Sequence, residues 1–125
     1  MDQVPLNHFV RASAELTTTL TQVYSAPVDT AAIMLTILAT NKTSNPQTIT
    51  IGVSGNGDVN ANVPEKPYFD LVTAFPIPAN DLVNIAIGKI TLENFDTLIA
   101  SSGANSAVNL TMSILETLNT TTVNE

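Results

Sequence analysis

The stretch AAIMLTILATNKTSNPQTITIGVSG, residues 31–55, sets two alternating apolar runs on either side of a polar segment. Ile33, Leu35 and Ile37 fall on one face of the first run, with Met34, Thr36 and Leu38 on the other. In the second run Ile49, Ile51 and Val53 alternate with Thr48, Thr50 and Gly52. A repeat of two belongs to a β-strand, because successive Cβ atoms point to opposite faces of the pleat. The first run is apolar on both faces, which predicts a central strand or one covered by a neighbour. Between the runs, NKTSNPQ (41–47) is rich in residues that turn the chain.

Outward from this stretch the alternation continues. Val108, Leu110, Met112 and Ile114 alternate with Asn109, Thr111 and Ser113. SSGANS (101–106) has the composition of a short hairpin loop, with Gly103 available for positive φ, and residues 54–67 form a longer loop. PIPAND (76–81) carries two prolines that cannot donate to a ladder and so make a stiff corner. Strands are expected at about 10–16, 18–24, 31–40, 47–53, 68–75, 82–87, 89–92 with 96–101, and 107–117. No long segment has a period of 3.6. The predicted fold is all-β: an antiparallel two-sheet β-sandwich, jelly-roll-like, of about seven or eight strands. Residues 1–9 are expected to form an N-terminal arm, 10–117 a single β-sandwich domain and 118–125 a C-terminal polar tail.

At 125 residues the chain suits one domain with a real core, and its 44% apolar content argues against disorder. Charged residues are only 12%, and the net charge is −7. The four basic residues, Arg11, Lys42, Lys66 and Lys89, are scattered, so no stripe exists to neutralise phosphates and no nucleic-acid partner is expected. The absence of cysteine excludes disulfides, thiolate metal sites and cysteine nucleophiles. The N-terminus lacks the basic start and apolar run of a signal peptide, and the longest apolar stretch, AAIMLTILA, is short of a membrane span. A soluble chain with no membrane partner is expected.

Reactive constellations are sparse. His8 is the only histidine, so a His-paired metal site or a Ser-His-Asp triad finds no support. Asp29, Asp70, Asp81, Glu93, Asp96 and Glu116 fall at predicted strand ends, where turn and cap duty is commoner than a catalytic pair. NGDVNAN supplies oxygens at Asn56, Asp58, Asn60 and Asn62, but an EF-hand loop needs Gly at its sixth position and Glu at its twelfth, where this chain has Ala61 and Pro67. The expectation is a non-enzymatic protein with no catalytic, cofactor or metal site.

Several motifs resemble one family. Val23, Tyr24 and Pro27 open a strand that leads to Ala39–Asn41 and a polar turn. Pro76, Pro78 and Ala79 form a corner, followed by Gly88, Lys89 and Ile90, then Leu92, Glu93, Asp96, Leu98 and Ala100, and finally Ile114–Glu116. Over roughly residues 22–117 this layout resembles small β-sandwich virion structural proteins of tailed bacteriophages, especially marine and cyanobacterial myoviruses. The resemblance implies a virion protein made in the host cytoplasm, most simply a capsid decoration or cement protein. Its partners would be the major capsid protein, or neck and tail proteins, and further copies of itself, with a trimer preferred. A neck, collar or tail accessory protein is the alternative, as is a tail-associated carbohydrate- or receptor-binding module. A sugar site is disfavoured, because the chain has no Trp and only Tyr24 and Tyr68 as tyrosines. Ahead of the sandwich, Val4, Pro5, Leu6 and Phe9 are candidate intersubunit contacts: Pro5 favours an extended arm whose apolar side chains could fill grooves on another subunit.

Overall fold

A computed structural model describes residues 7–55, 65–85, 90–93 and 95–118. Nine strands run β1 (Asn7–Glu15), β2 (Thr21–Ser25), β3 (Thr30–Asn41), β4 (Gln47–Gly55), β5 (Lys66–Ile77), β6 (Leu82–Asn84), β7 (Ile90–Leu92), β8 (Asp96–Ser102) and β9 (Val108–Leu118). One sheet has the order β1-β9-β3-β6, with β7 also on β3; the other has the order β2-β8-β4-β5. Every pairing is antiparallel.

β6 pairs with Leu38–Thr40 and β7 with Ala32–Met34, so both lie along one edge of β3 as a single interrupted strand. The backbone N–H of Ile85 continues that edge by donating to Ile37 O at 2.8 Å. Counted this way, eight strands form two four-stranded sheets in the order of a jelly roll, as expected.

The core lies between the sheets. From β9 it receives Val108, Leu110, Met112 and Ile114, the residues whose alternation marked them. β4 contributes Ile49 and Ile51. In β3 the expected faces are corrected. Met34 and Ile37 are both fully buried, whereas Ile33 and Leu35 are half-buried on the outer side. The register against β9 shifts between Met34 and Thr36, and this bulge inserts one extra residue and reverses the parity of the strand beyond it.

Other boundaries also move. β1 begins at Asn7, within the segment assigned to an arm, and Asn7, His8 and Phe9 pair with Thr117, Glu116 and Leu115. β2 begins at Thr21, because the Thr17 and Thr21 hydroxyls bond to Thr19 O and fold the preceding threonines into a turn. SSGANS is a crossover, not a hairpin: β8 and β9 belong to different sheets, and Ser106 (φ 58°) takes the left-handed conformation. The segments expected to form one strand, 89–92 with 96–101, are β7 and β8 in opposite sheets, with Phe95 (φ 63°) in the corner between them. Gly88, Lys89, the NGDVNAN loop, Val4–Leu6 and the polar tail beyond Leu118 lie outside the described residues.

Asn41, 1% exposed, organises one end of the sandwich. Its Nδ2 stands 2.8 Å from Asn45 O, 3.2 Å from Ile77 O and 3.2 Å from Pro78 O. Its Oδ1 accepts from the Thr43 N–H (2.9 Å) and the Thr43 hydroxyl (2.8 Å). The β3–β4 and β5–β6 corners are thereby tied through one amide. Asn41→Asp removes every donor and turns a carboxylate toward three carbonyls, so a loss of about 3 kcal/mol is expected at pH 7. The loss should shrink at pH 4, where a protonated acid donates once. Urea midpoints at the two pH values check this.

Candidate assembly surface

β5 is an edge strand, paired with β4 alone among the described strands. Its sequence KPYFDLVTAFPI leaves Tyr68, Phe69, Leu71 and Phe75 exposed, Phe69 by 65%. The cause is its pairing. The β4–β5 register shifts between Ile49 and Ile51, between Ile51 and Gly52, and between Val53 and Gly55. Each irregularity rotates the strand, so no one face stays on the core along its length. Ala74 adopts φ 49°, and its N–H donates to Thr50 Oγ1 at 3.0 Å. Pro67 and Pro76 sit within the strand, which is possible because an edge strand has one side free of ladder partners.

The Tyr68 ring crosses the backbone of β4 at Gly52. A Cβ on Gly52 would stand 2.3 Å from Tyr68 Cε1, so only glycine lets the ring lie there. Burial against β4 pushes the Tyr68 phenol up to about 12, with the hydrogen bond to Asp70 and its charge adding to the shift.

Between β5 and β7 the sandwich opens into a largely apolar pocket of about 160 Å³, walled by Val53, Pro67, Phe69, Ile90 and Leu92. Lys66 and Asp96 also line it. Lys66 Nζ donates to Asp96 Oδ2 at 3.2 Å and stands 3.1 Å from Oδ1, out of line for a hydrogen bond. Asp96 Oδ1 lies close to Gly55, whose absent Cβ would be 2.8 Å away. The Glu93 N–H donates to Oδ2 at 2.9 Å, and Glu93 Oε1 lies 3.5 Å from Lys66 Nζ. The hydrogen bond to Asp96, aided by the two carboxylate charges, raises the Lys66 pKa above its ordinary value. An ammonium held in this way is no nucleophile, and the carboxylate serves the β7–β8 corner.

The opposite side of the sandwich carries a second cluster. Tyr24 O–H donates to Glu116 Oε2 at 2.5 Å, and His8 Nε2 lies 3.0 Å from Oε1. Glu116, expected at a strand end, is buried within β9 at 8% exposure. Burial first, then the hydrogen bond and charge of Glu116, raise the Tyr24 pKa well above the usual tyrosine value. One carboxylate thus ties β2 of one sheet to β1 and β9 of the other. At the remaining described ion pair, Lys42 Nζ meets Glu15 Oε2 at 2.6 Å and lowers the Glu15 pKa. Among the described residues no group of three or more His, Asp or Glu could hold a metal ion, and no helix is long and apolar enough to cross a membrane.

Of the candidate contacts, Val4, Pro5 and Leu6 lie outside the described residues. Phe9 is in β1 and is 77% exposed. Val10 and Ala12 pack on the core, so Phe9 and Arg11 share the outward face. The β5 residues were not singled out from sequence. Their signal was an apolar strand bracketed by Pro67 and Pro76, which marks an edge.

No protein-family model matches the chain, and no curated protein matches it. Among solved structures, it is similar to a chain of the disulfide-linked pili of Bacillus endospore appendages, with 16% identity, 90% of this chain and 87% of that chain covered, and a TM-score of 0.49. It is also similar to a chain of the acid-stable capsid of Helicobacter pylori bacteriophage KHP30, with 12% identity, 97% and 95% covered, and a TM-score of 0.49. A third is VP2 of the infectious bursal disease virus subviral particle, with 8% identity, 90% of this chain but 32% of that chain covered, and a TM-score of 0.48.

The Tyr24–Glu116 bond has a pH signature. A tyrosine pKa raised in the folded state contributes stability that is complete below the unfolded value of about 10 and is lost as pH rises through the folded value. Tyr24→Phe should flatten this alkaline fall. It should also cost roughly 1 kcal/mol at pH 7, where Glu116 Oε2 loses a donor. Urea midpoints of both proteins at pH 7 and pH 11 check it.

Proposed function

We propose that this chain is a non-enzymatic structural subunit of a tailed-bacteriophage virion, a capsid decoration or cement protein that works through subunit–subunit contacts. The observation that carries this is the row of exposed apolar side chains on β5, Tyr68, Phe69, Leu71 and Phe75, beside an apolar pocket. An edge strand so rich in exposed apolar surface suits a protein partner. The described ionisable clusters favour the same role, because Tyr24–Glu116–His8 and Lys66–Asp96–Glu93 are engaged in tying strands and corners together.

The partners in this role are the major capsid protein and further copies of the chain, with a trimer as the preferred state. Val4, Pro5 and Leu6, ahead of β1, belong with Phe9 among the proposed contacts. The protein is made in the host cytoplasm and resides in the virion. A neck, collar or tail accessory position would use the same surface at lower copy number.

Quantitative mass spectrometry of purified virions tests this. Decoration predicts copies on the order of hundreds per particle, whereas a symmetric neck or tail ring predicts about a dozen. Absence from purified particles overturns the virion role. Phe69→Asp should leave the melting temperature within about 3 °C, since that side chain is 65% exposed. It should also abolish incorporation.

A further inference from the structure

We infer that copies of this chain join head to tail, the Phe9 ring of one copy seated in the pocket between β5 and β7 of the next. The inference rests on the proposed role as an assembling subunit and adds which surfaces meet.

The knob and the hole are both present on one chain and cannot meet within it. β1 is one edge strand of its sheet, and the β6–β7 edge is the other. β5 is the edge strand of the second sheet that lies opposite β2 in the strand order. Phe9 therefore projects from one side of the sandwich, and the pocket opens on the other. At 77% exposed, Phe9 is the most exposed large apolar side chain described.

Size and charge fit. A cavity of about 150 Å³ lined by aliphatic and aromatic side chains accepts a benzene ring. This pocket measures about 160 Å³ and is walled by Val53, Phe69, Ile90 and Leu92. Lys42 is paired with Glu15 and Lys66 with Asp96, which leaves Arg11 as the described cation without a carboxylate partner. Arg11 shares the outward face of β1 with Phe9. The pocket rim carries one negative charge in excess: Lys66 and Asp96 line it as a pair, and Glu93, 3.5 Å from Lys66 Nζ, keeps its side chain 72% exposed. An apolar ring flanked by a free guanidinium thus faces an apolar hole whose rim holds two carboxylates to one ammonium. On a chain of net charge −7, that local match offsets the general repulsion between copies. The contact is heterologous: it closes into a ring when the rotation allows, three copies giving the trimer, and otherwise continues as a filament.

Sedimentation of the full chain tests this with two kinds of variant. Phe9→Ala removes the knob and keeps the hole; Ile90→Trp blocks the hole and keeps the knob. Each alone should stay monomeric, with an apparent Kd raised about tenfold or more over the unmodified chain. Mixed, they should form a 1:1 dimer and stop there, because only one productive contact remains. Arg11→Glu and Glu93→Lys do not alter the pocket wall and keep the test valid if Ile90→Trp fails to fold. Each should weaken association, and the double variant should restore it.

An unmodified chain that remains monomeric at millimolar concentration overturns the inference. So does association of Phe9→Ala at wild-type strength, or of Ile90→Trp, as when a loop or small apolar ligand fills the pocket instead. If Phe9→Ala still associates while the protein is abundant in virions, this contact fails and the virion role stands. If the chain is absent from virions yet the mixed variants dimerise, the virion role fails and the contact stands.

Discussion

The jelly roll depends on satisfying the corners. Apart from β4–β5 and the continuation from β6 to β7, every connection crosses from one sheet to the other. A crossing strand leaves its ladder and takes N–H and C=O groups with it, and buried groups of this kind need partners. Asn41 meets that constraint where it is most crowded, serving Thr43 and Asn45 of its own corner and Ile77 and Pro78 of another. Its backbone N–H donates to Asp81 O, and the adjacent Lys42 N–H donates to Ala107 O, so a third corner joins the same end. A buried amide offers both donors and acceptors. No apolar residue of the same size could hold these loops together.

The two sides of the sandwich are finished differently. Beside β1 and β2, the buried Glu116 carboxylate accepts from Tyr24 and meets His8, which closes that side with polar contacts. Beside β5 and β7, the charged groups at Asp96 are compensated, but the apolar residues around them do not close, and a pocket remains. This asymmetry comes from β5, whose repeated register shifts against β4 turn Phe69 and Phe75 outward. A closed side bearing an exposed ring and an open side bearing an apolar hole are complementary surfaces on one body.

Much of the fold was legible in the chain. Strict alternation over Val108–Ile114 and Ile49–Val53 identified two strands of the core, and the low charge with abundant threonine pointed to sheets with a hydrogen-bonding exterior. Less of the surface was legible. Phe9 stood out as an apolar residue ahead of the expected sandwich, but its place in β1 depends on pairing with Leu115, more than a hundred residues away in sequence. The β5 row escaped notice because exposure on both faces of an edge strand resembles burial on both faces of a central one. β3 and β5 are each apolar on both faces, and their fates are opposite.

By itself the sequence determined the strand character of most segments, the turn-rich breaks between them and the absence of thiol chemistry. These follow from backbone dihedral preferences and residue identity, which act over a few neighbours. Tertiary structure alone decided the parity of β3, reversed by the bulge beyond Met34, and the separation of β7 from β8 into different sheets. It also decided that β5 lies at an edge beside an open pocket. Period-two alternation says that a residue faces one side of some sheet. Which sheet, beside which strand and with how many residues between pairings are set by hydrogen bonds to distant segments, and no local pattern contains that information.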